Sequence, residues 1–145
     1  MFLEEIFSTP IYGFDLKLDV DSIRYWCYSV LKENPGRQIS NIGGWQSEDF
    51  REFGNTPLTD LILYAVKESH NIAKDLGIPE GDRWVENLWI NINPKYSYNQ
   101  VHVHPEARLS GVFYVSAPEK SGDLCFTRSN GYALGTVAPN LTRYS

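Results

Sequence analysis

The 145-residue chain predicts an α+β fold in which two helices precede the short antiparallel strands of a sandwich or barrel. Three observations predict it. Apolar residues recur at helical spacing in two stretches of the first half. From Arg83 to Asn93 the pattern switches to strict alternation. Two of the three histidines, His102 and His104, then stand two residues apart between strand-like runs. No internal repeat or linker divides the chain, so residues 1–145 read as a single domain.

Phe2 to Leu18 is aromatic and β-branched but broken by Thr9-Pro10 and Gly13, which predicts one or two short strands near a sheet edge. Val20, Ile23, Trp26, Cys27, Val30 and Leu31 form a helical stripe. Asp19 or Asp21 can cap it, and Asn34-Pro35-Gly36 ends it. Thr56-Pro57 reads as the N-cap and first residue of a second helix. Its apolar stripe is Leu58, Leu61, Ile62, Ala65, Val66, Ile72, Ala73 and Leu76, with Gly77 at the stop. His70 sits on the flank of that stripe and reads as a solvated or half-buried helix residue.

In the second half, Val85, Asn87, Trp89, Asn91 and Asn93 share one strand face. Trp84, Glu86, Leu88, Ile90 and Ile92 share the other. The first face mixes amides with an indole, as a ligand cavity inside a barrel would. Asn99–His104, Arg108–Ser116 and Asp123–Thr127 follow as short strands, and Gly131 to Val137 can begin one more.

Composition narrows the function. A formal net charge of −5 argues against a nucleic-acid partner, because phosphate binding needs a basic surface. No apolar run approaches the roughly 20 residues that span a bilayer, and Met-Phe-Leu-Glu-Glu is not a signal peptide. Cys27 and Cys125 are too few and too far apart for a disulfide framework, which points to reduced thiols in a cytoplasmic setting. Cys125, between Leu124 and Phe126, reads as a buried structural thiol rather than a nucleophile.

On one strand, His102 and His104 point the same way, which makes half of a metal site. The same pattern also serves imidazoles that only bond backbone or solvent. The loop Ser40-Asn-Ile-Gly-Gly-Trp-Gln-Ser-Glu-Asp49 carries an exposed-looking Trp45, readable as an aromatic lid over the core or as a substrate-facing group. No Gly-rich phosphate loop, Gly-x-Ser-x-Gly elbow or Cys-x-x-Cys pair competes with the histidines.

Six ordered segments carry a resemblance: Thr-Pro-Ile-Tyr-Gly-Phe-Asp-Leu (9–16), Ser-Asn-Ile-Gly-Gly-Trp-Gln-Ser (40–47), Trp-Ile-Asn-Ile-Asn (89–93), His-Val-His-Pro (102–105), Leu-Ser-Gly-Val-Phe-Tyr-Val (109–115) and Pro-x-x-Ser-Gly-Asp-Leu-x-Phe (118–126). Together they resemble the Fe(II)/2-oxoglutarate-dependent oxygenases common in marine cyanophages and bacteria. The resemblance runs from the N-terminus to about Thr127. It implies a double-stranded β-helix (jelly-roll) core with the two helices packed outside.

It also implies Fe(II) and 2-oxoglutarate as cofactors, with ascorbate as reductant, and hydroxylation of an unidentified small molecule or peptide. Such enzymes hold iron by His-x-Asp/Glu and a distal His, with a basic residue anchoring the far carboxylate of 2-oxoglutarate. His102 matches the first ligand and the catalytic centre, and His104 stands where the carboxylate usually does. Asn91, Asn93 and Tyr114 would line the cosubstrate pocket, and substrate would enter near Trp45. A second register would use His104 and Glu106.

The family's distal histidine and arginine have no counterpart here, since no histidine follows His104 before Asn140-Leu-Thr-Arg-Tyr-Ser145. The expectation is therefore a jelly roll lacking its last strands, impaired in turnover and prone to homodimerise through exposed sheet edges. The setting would be cytoplasmic, in the host if the gene is viral. Two other readings remain open. One is a non-catalytic jelly-roll binding or scaffold module. The other is a cupin-like non-redox metalloprotein using Glu106 or Asp123 as a further ligand.

Overall fold

A computed structural model describes residues 9–79, 81, 85–105 and 107–127, and the backbone of 133–137. Asp19 begins the first helix, accepting from the Ser22 N–H at 3.1 Å and the Ser22 hydroxyl at 2.6 Å. Helix α1 (Val20–Glu33) thus starts with a satisfied cap, while Asp21 pairs instead with Arg24 at 2.6 Å. Beyond α1, the Asn34 side chain accepts from the Gly36 N–H at 3.0 Å, turning the chain away from the helix.

Helix α2 (Thr59–Asp75) begins one turn after the expected N-cap. Thr56 still organises the entry: its hydroxyl accepts from the Leu58 N–H at 3.3 Å and its carbonyl from the Thr59 N–H at 3.0 Å. At the other end Gly77 N–H bonds the Lys74 carbonyl at 3.2 Å and Ile78 N–H bonds that of Ala73 at 2.8 Å, a Schellman closure. His70 is exposed, as expected of the stripe's flank.

Four short strands follow an antiparallel plan. Strand β1 (Asn41–Ile42) pairs with β4 (Tyr98–Asn99), and β2 (Trp45–Gln46) pairs with β3 (Asn91–Ile92). The registers Asn41↔Asn99 and Trp45↔Ile92 make this one ladder interrupted by two loops that face each other, Gly43-Gly44 and 93–97. A Cβ on Gly44 would fall 2.1 Å from Asn93 Oδ1, so glycine is what lets the loops approach. The bridge Phe50↔Leu88 extends the ladder at its other end, and Arg37↔Gln46 adds a partner on the opposite edge of β2.

The core lies where α1, α2 and this ladder meet: Ile23, Cys27, Leu58 and Ile90, ringed by Trp26, Phe50, Leu61, Ile62, Leu88 and Ile92 among others. Leu88, Ile90 and Ile92 share one face of the alternating stretch, and it is this face that meets the core. Burying each such aliphatic side chain stabilises the fold by about 1.5–3 kcal/mol.

Two expectations are corrected, and another holds in its coarser part. Residues 9–18 form no strand; they run along α2, with the Phe14 ring edge-on to Tyr64 at 5.8 Å and the Tyr12 hydroxyl bonded to Asp75. The sequence alternates there, but its partner is a helix surface, which offers no backbone ladder. Residues 1–8 lie outside the described residues.

Second, the α+β class holds, while the described residues do not show a jelly roll. The described residues form three two-stranded sheets, the third being β5 (Leu124–Thr127) with β6 (Ala133–Val137). The stretches Asn99–His104 and Arg108–Ser116 are expected as strands; beyond the Asn99 pairing, their one ladder-like contact among the described residues is the Gln100 N–H to Ser40 carbonyl bond at 2.7 Å. Phe113 and Val115 do pack on the core, while Val112 and Tyr114 alternate outward. The pattern of a strand is present; a paired neighbour is not, among the described residues.

Third, Cys125 is exposed and Cys27 is the buried thiol. On β5 the flanking Leu124 and Phe126 turn inward, leaving the residue between them outside.

Candidate functional site

The site grows out of the end of β4. After Asn99 pairs with Asn41, the Gln100 bond to Ser40 carries the chain out of the sheet into an exposed extended segment, Val101 to Pro105. Val101, before the histidines, and Val103, between them, are 76% and 79% exposed, so this segment is held by its polar groups rather than by packing.

His102 Nδ1 lies 2.7 Å from the Gln100 carbonyl. A carbonyl only accepts, so Nδ1 carries the proton and the Nε2 lone pair points elsewhere, free for a metal. At His104 the chain turns: the His104 carbonyl accepts from the Ala107 N–H at 3.2 Å, with Pro105 at the second turn position. This turn returns Ser110 to His104, where its Oγ meets Nδ1 at 2.7 Å. The two imidazole centres are 5.0 Å apart, and the Trp89 ring stands edge-on to His104 at 5.3 Å and 87°.

Both Nδ1 atoms are therefore engaged, and the two Nε2 atoms are the available donors. Among the described residues no group of three or more His, Cys, Asp or Glu could hold a metal ion. The pair supplies two imidazoles, fewer protein donors than the two-histidine, one-carboxylate set of an iron site. Glu106 lies outside the described residues, and Asp123 is exposed.

The other predicted residues sit apart. Among the described residues no hydrogen bond or ring contact joins Trp45, Asn91, Asn93 or Tyr114 to the histidines. The exposed-looking Trp45 is half-buried: its indole N–H donates to the Asn34 carbonyl at 3.1 Å and its ring packs on the core. Asn91 is exposed beside Gln46 in the ladder. Asn93 donates to Asn99 at 2.9 Å, and Asn99 to Ser40 at 3.2 Å, a relay that ties the two strand pairs together. Burial and the nearby Asp123 carboxylate push the Tyr114 phenol above its ordinary value, so it stays protonated at neutral pH and can donate.

The strand alternation puts Trp89 on the face with Asn91 and Asn93 but gives it no link to His104, and it gives Ser110 no role. The signal for Ser110 was the proline directly after His104, which makes a chain reversal and brings a residue several positions on back to the ring.

A family model described as "Putative 2OG-Fe(II) oxygenase" matches residues 87–143. The matched span holds His102, His104, Trp89, Ser110 and Tyr114. It starts later than the resemblance read from the sequence, which included 9–16 and 40–47, and it runs beyond Thr127. No curated protein and no solved structure matches the chain. No helix among the described residues is long and apolar enough to cross a membrane.

Proposed function

We propose that this chain serves Fe(II)- and 2-oxoglutarate-dependent oxygenation, with His102 and His104 as metal ligands through Nε2. The observation that supports the reading most is the imidazole pair with both Nδ1 atoms engaged, lying inside the span that resembles such oxygenases. When bound, iron supplies the coupled decarboxylation of 2-oxoglutarate to succinate and oxidation of a substrate C–H bond.

The chain's own residues hold and orient. Gln100 fixes His102 from the backbone, and Trp89 limits the swing of His104. Tyr114, kept neutral, donates a hydrogen bond to a carboxylate of the cosubstrate, with Asn91 and Asn93 supplying amides on the same wall. Trp45 closes the substrate side by holding the loop 40–49 against α1. A double-stranded β-helix is the architecture that would bring Tyr114 and the histidines onto one wall.

Equilibrium dialysis with labelled 2-oxoglutarate under anaerobic conditions tests this. Binding should require Fe(II) and should vanish in His102→Ala. Fe(II)-independent binding, or binding that survives His102→Ala, would contradict the assignment.

A further inference from the structure

We propose that residues 9–18 form a strap that opens from α2 without unfolding the core, with the Tyr12–Asp75 hydrogen bond as its latch.

Two side chains hold the strap. The Tyr12 hydroxyl bonds the carboxylate of Asp75, the last residue of α2, and the Phe14 ring stands edge-on to Tyr64 at 5.8 Å and 78°. Tyr64 and Asp75 lie on one side of the helix, about three turns and roughly 16 Å apart along its axis. Tyr12 and Phe14 are neighbours but one, so their backbones can be separated by about 7 Å at most. The two rings therefore reach in opposite directions along α2, and the strap is clasped at two points with Gly13 between them.

Little else attaches it. Among the described residues no backbone hydrogen bond ties residues 9–17 to α2 or to the ladder. Ile11 is 54% exposed and Phe14 47%, so even the side chains laid on the helix are about half in water. Such a segment opens at far less cost than the neighbouring elements, whose amides are bonded within helix and ladder. The near end is different. Leu18 packs on the core, and its carbonyl accepts from the Val20 N–H at 2.8 Å beside the Asp19 cap. The hinge accordingly falls just before Leu18, and α1 keeps its start when the strap opens.

Opening uncovers the side of α2 that carries Tyr64, Glu68, Asn71 and Asp75. Glu68, one turn after Tyr64, accepts from the Asn71 amide at 2.9 Å and keeps its side chain only 15% exposed. Release of the latch frees the Asp75 carboxylate and the Tyr64 ring from their partners. A clasped side of the helix then becomes an acidic one.

Nuclear magnetic resonance of the full chain tests this, with the Phe14 ring protons reporting the strap and the Ile23 and Ile90 methyl groups reporting the core. The Tyr64 ring current displaces the Phe14 signals, and Tyr64→Leu supplies the reference without it. On warming below the unfolding transition, Phe14 should move toward that reference while Ile23 and Ile90 hold their positions. Tyr12→Phe keeps the ring and removes only the hydroxyl. It should lower the closed-to-open ratio about 2–10-fold, so that Phe14 moves at lower temperature with the core signals unchanged. Phe14 and the core methyl groups changing together would overturn the proposal, as would a Phe14 response that is the same in wild type and Tyr12→Phe.

Discussion

His102 and His104 lie with ring centres 5.0 Å apart, each with its Nδ1 already bonded within 2.7 Å to a partner from its own stretch of chain. The pair is thus oriented by local bonds, not by burial. A site built this way keeps both Nε2 atoms accessible while the surrounding segment stays exposed.

The packing of Trp45 predicts a sharp sensitivity at Gly36. A Cβ there would lie 2.3 Å from the indole Nε1 and 2.7 Å from the Gln46 carbonyl, and the backbone sits at φ +71°. Gly36→Ala should cost about 1–3 kcal/mol, from the left-handed backbone and the displaced indole together. Urea unfolding checks it. A midpoint equal to wild type would mean that Trp45 is not seated against this turn.

Asp19 predicts an acid-sensitive helix start. Its bonds from the Ser22 hydroxyl and amide hold the carboxyl below its ordinary value of 3.8. A carboxyl lowered in the folded state contributes stability above its unfolded value and loses it as pH falls through the folded one. Wild type should therefore lose stability relative to Asp19→Asn as pH drops below about 4. Thermal melts of both proteins between neutral pH and pH 3 measure this; parallel pH profiles would remove Asp19 from the cap.

The two thiols should separate cleanly. Burial pushes the Cys27 thiol up, while Cys125 is exposed on β5. A thiol reagent at neutral pH should label Cys125 quickly and Cys27 only on unfolding. Mass spectrometry of peptides after brief alkylation decides it, and prompt labelling of Cys27 would show that the α1 core opens readily.

Local chemistry was legible in the sequence, and pairing was not. Asp19, Thr56 and Gly77 act at or near the helix boundaries assigned to them because caps depend on a few adjacent residues. Leu88, Ile90 and Ile92 face inward because strand alternation forces it. The segment 100–116 carries equally good strand patterning, yet nothing in a pattern specifies which backbone will pair with it. Cys125 went the wrong way for the same reason: which face of β5 is outward depends on its neighbours in space. Within the site, the closeness of the two histidines was readable from spacing. Ser110 was not, since its bond to His104 depends on the turn at Pro105.

The central claim is that His102 and His104 together bind iron, and anaerobic calorimetry with Fe(II) tests it most directly. Wild type should bind about one equivalent, and loss of either of two shared ligands should weaken binding by tenfold or more, about 1.4 kcal/mol per decade, in both His102→Ala and His104→Ala. His70→Ala, on the exposed flank of α2, should bind as wild type does. Equal Fe(II) affinity in wild type, His102→Ala and His104→Ala would contradict the account.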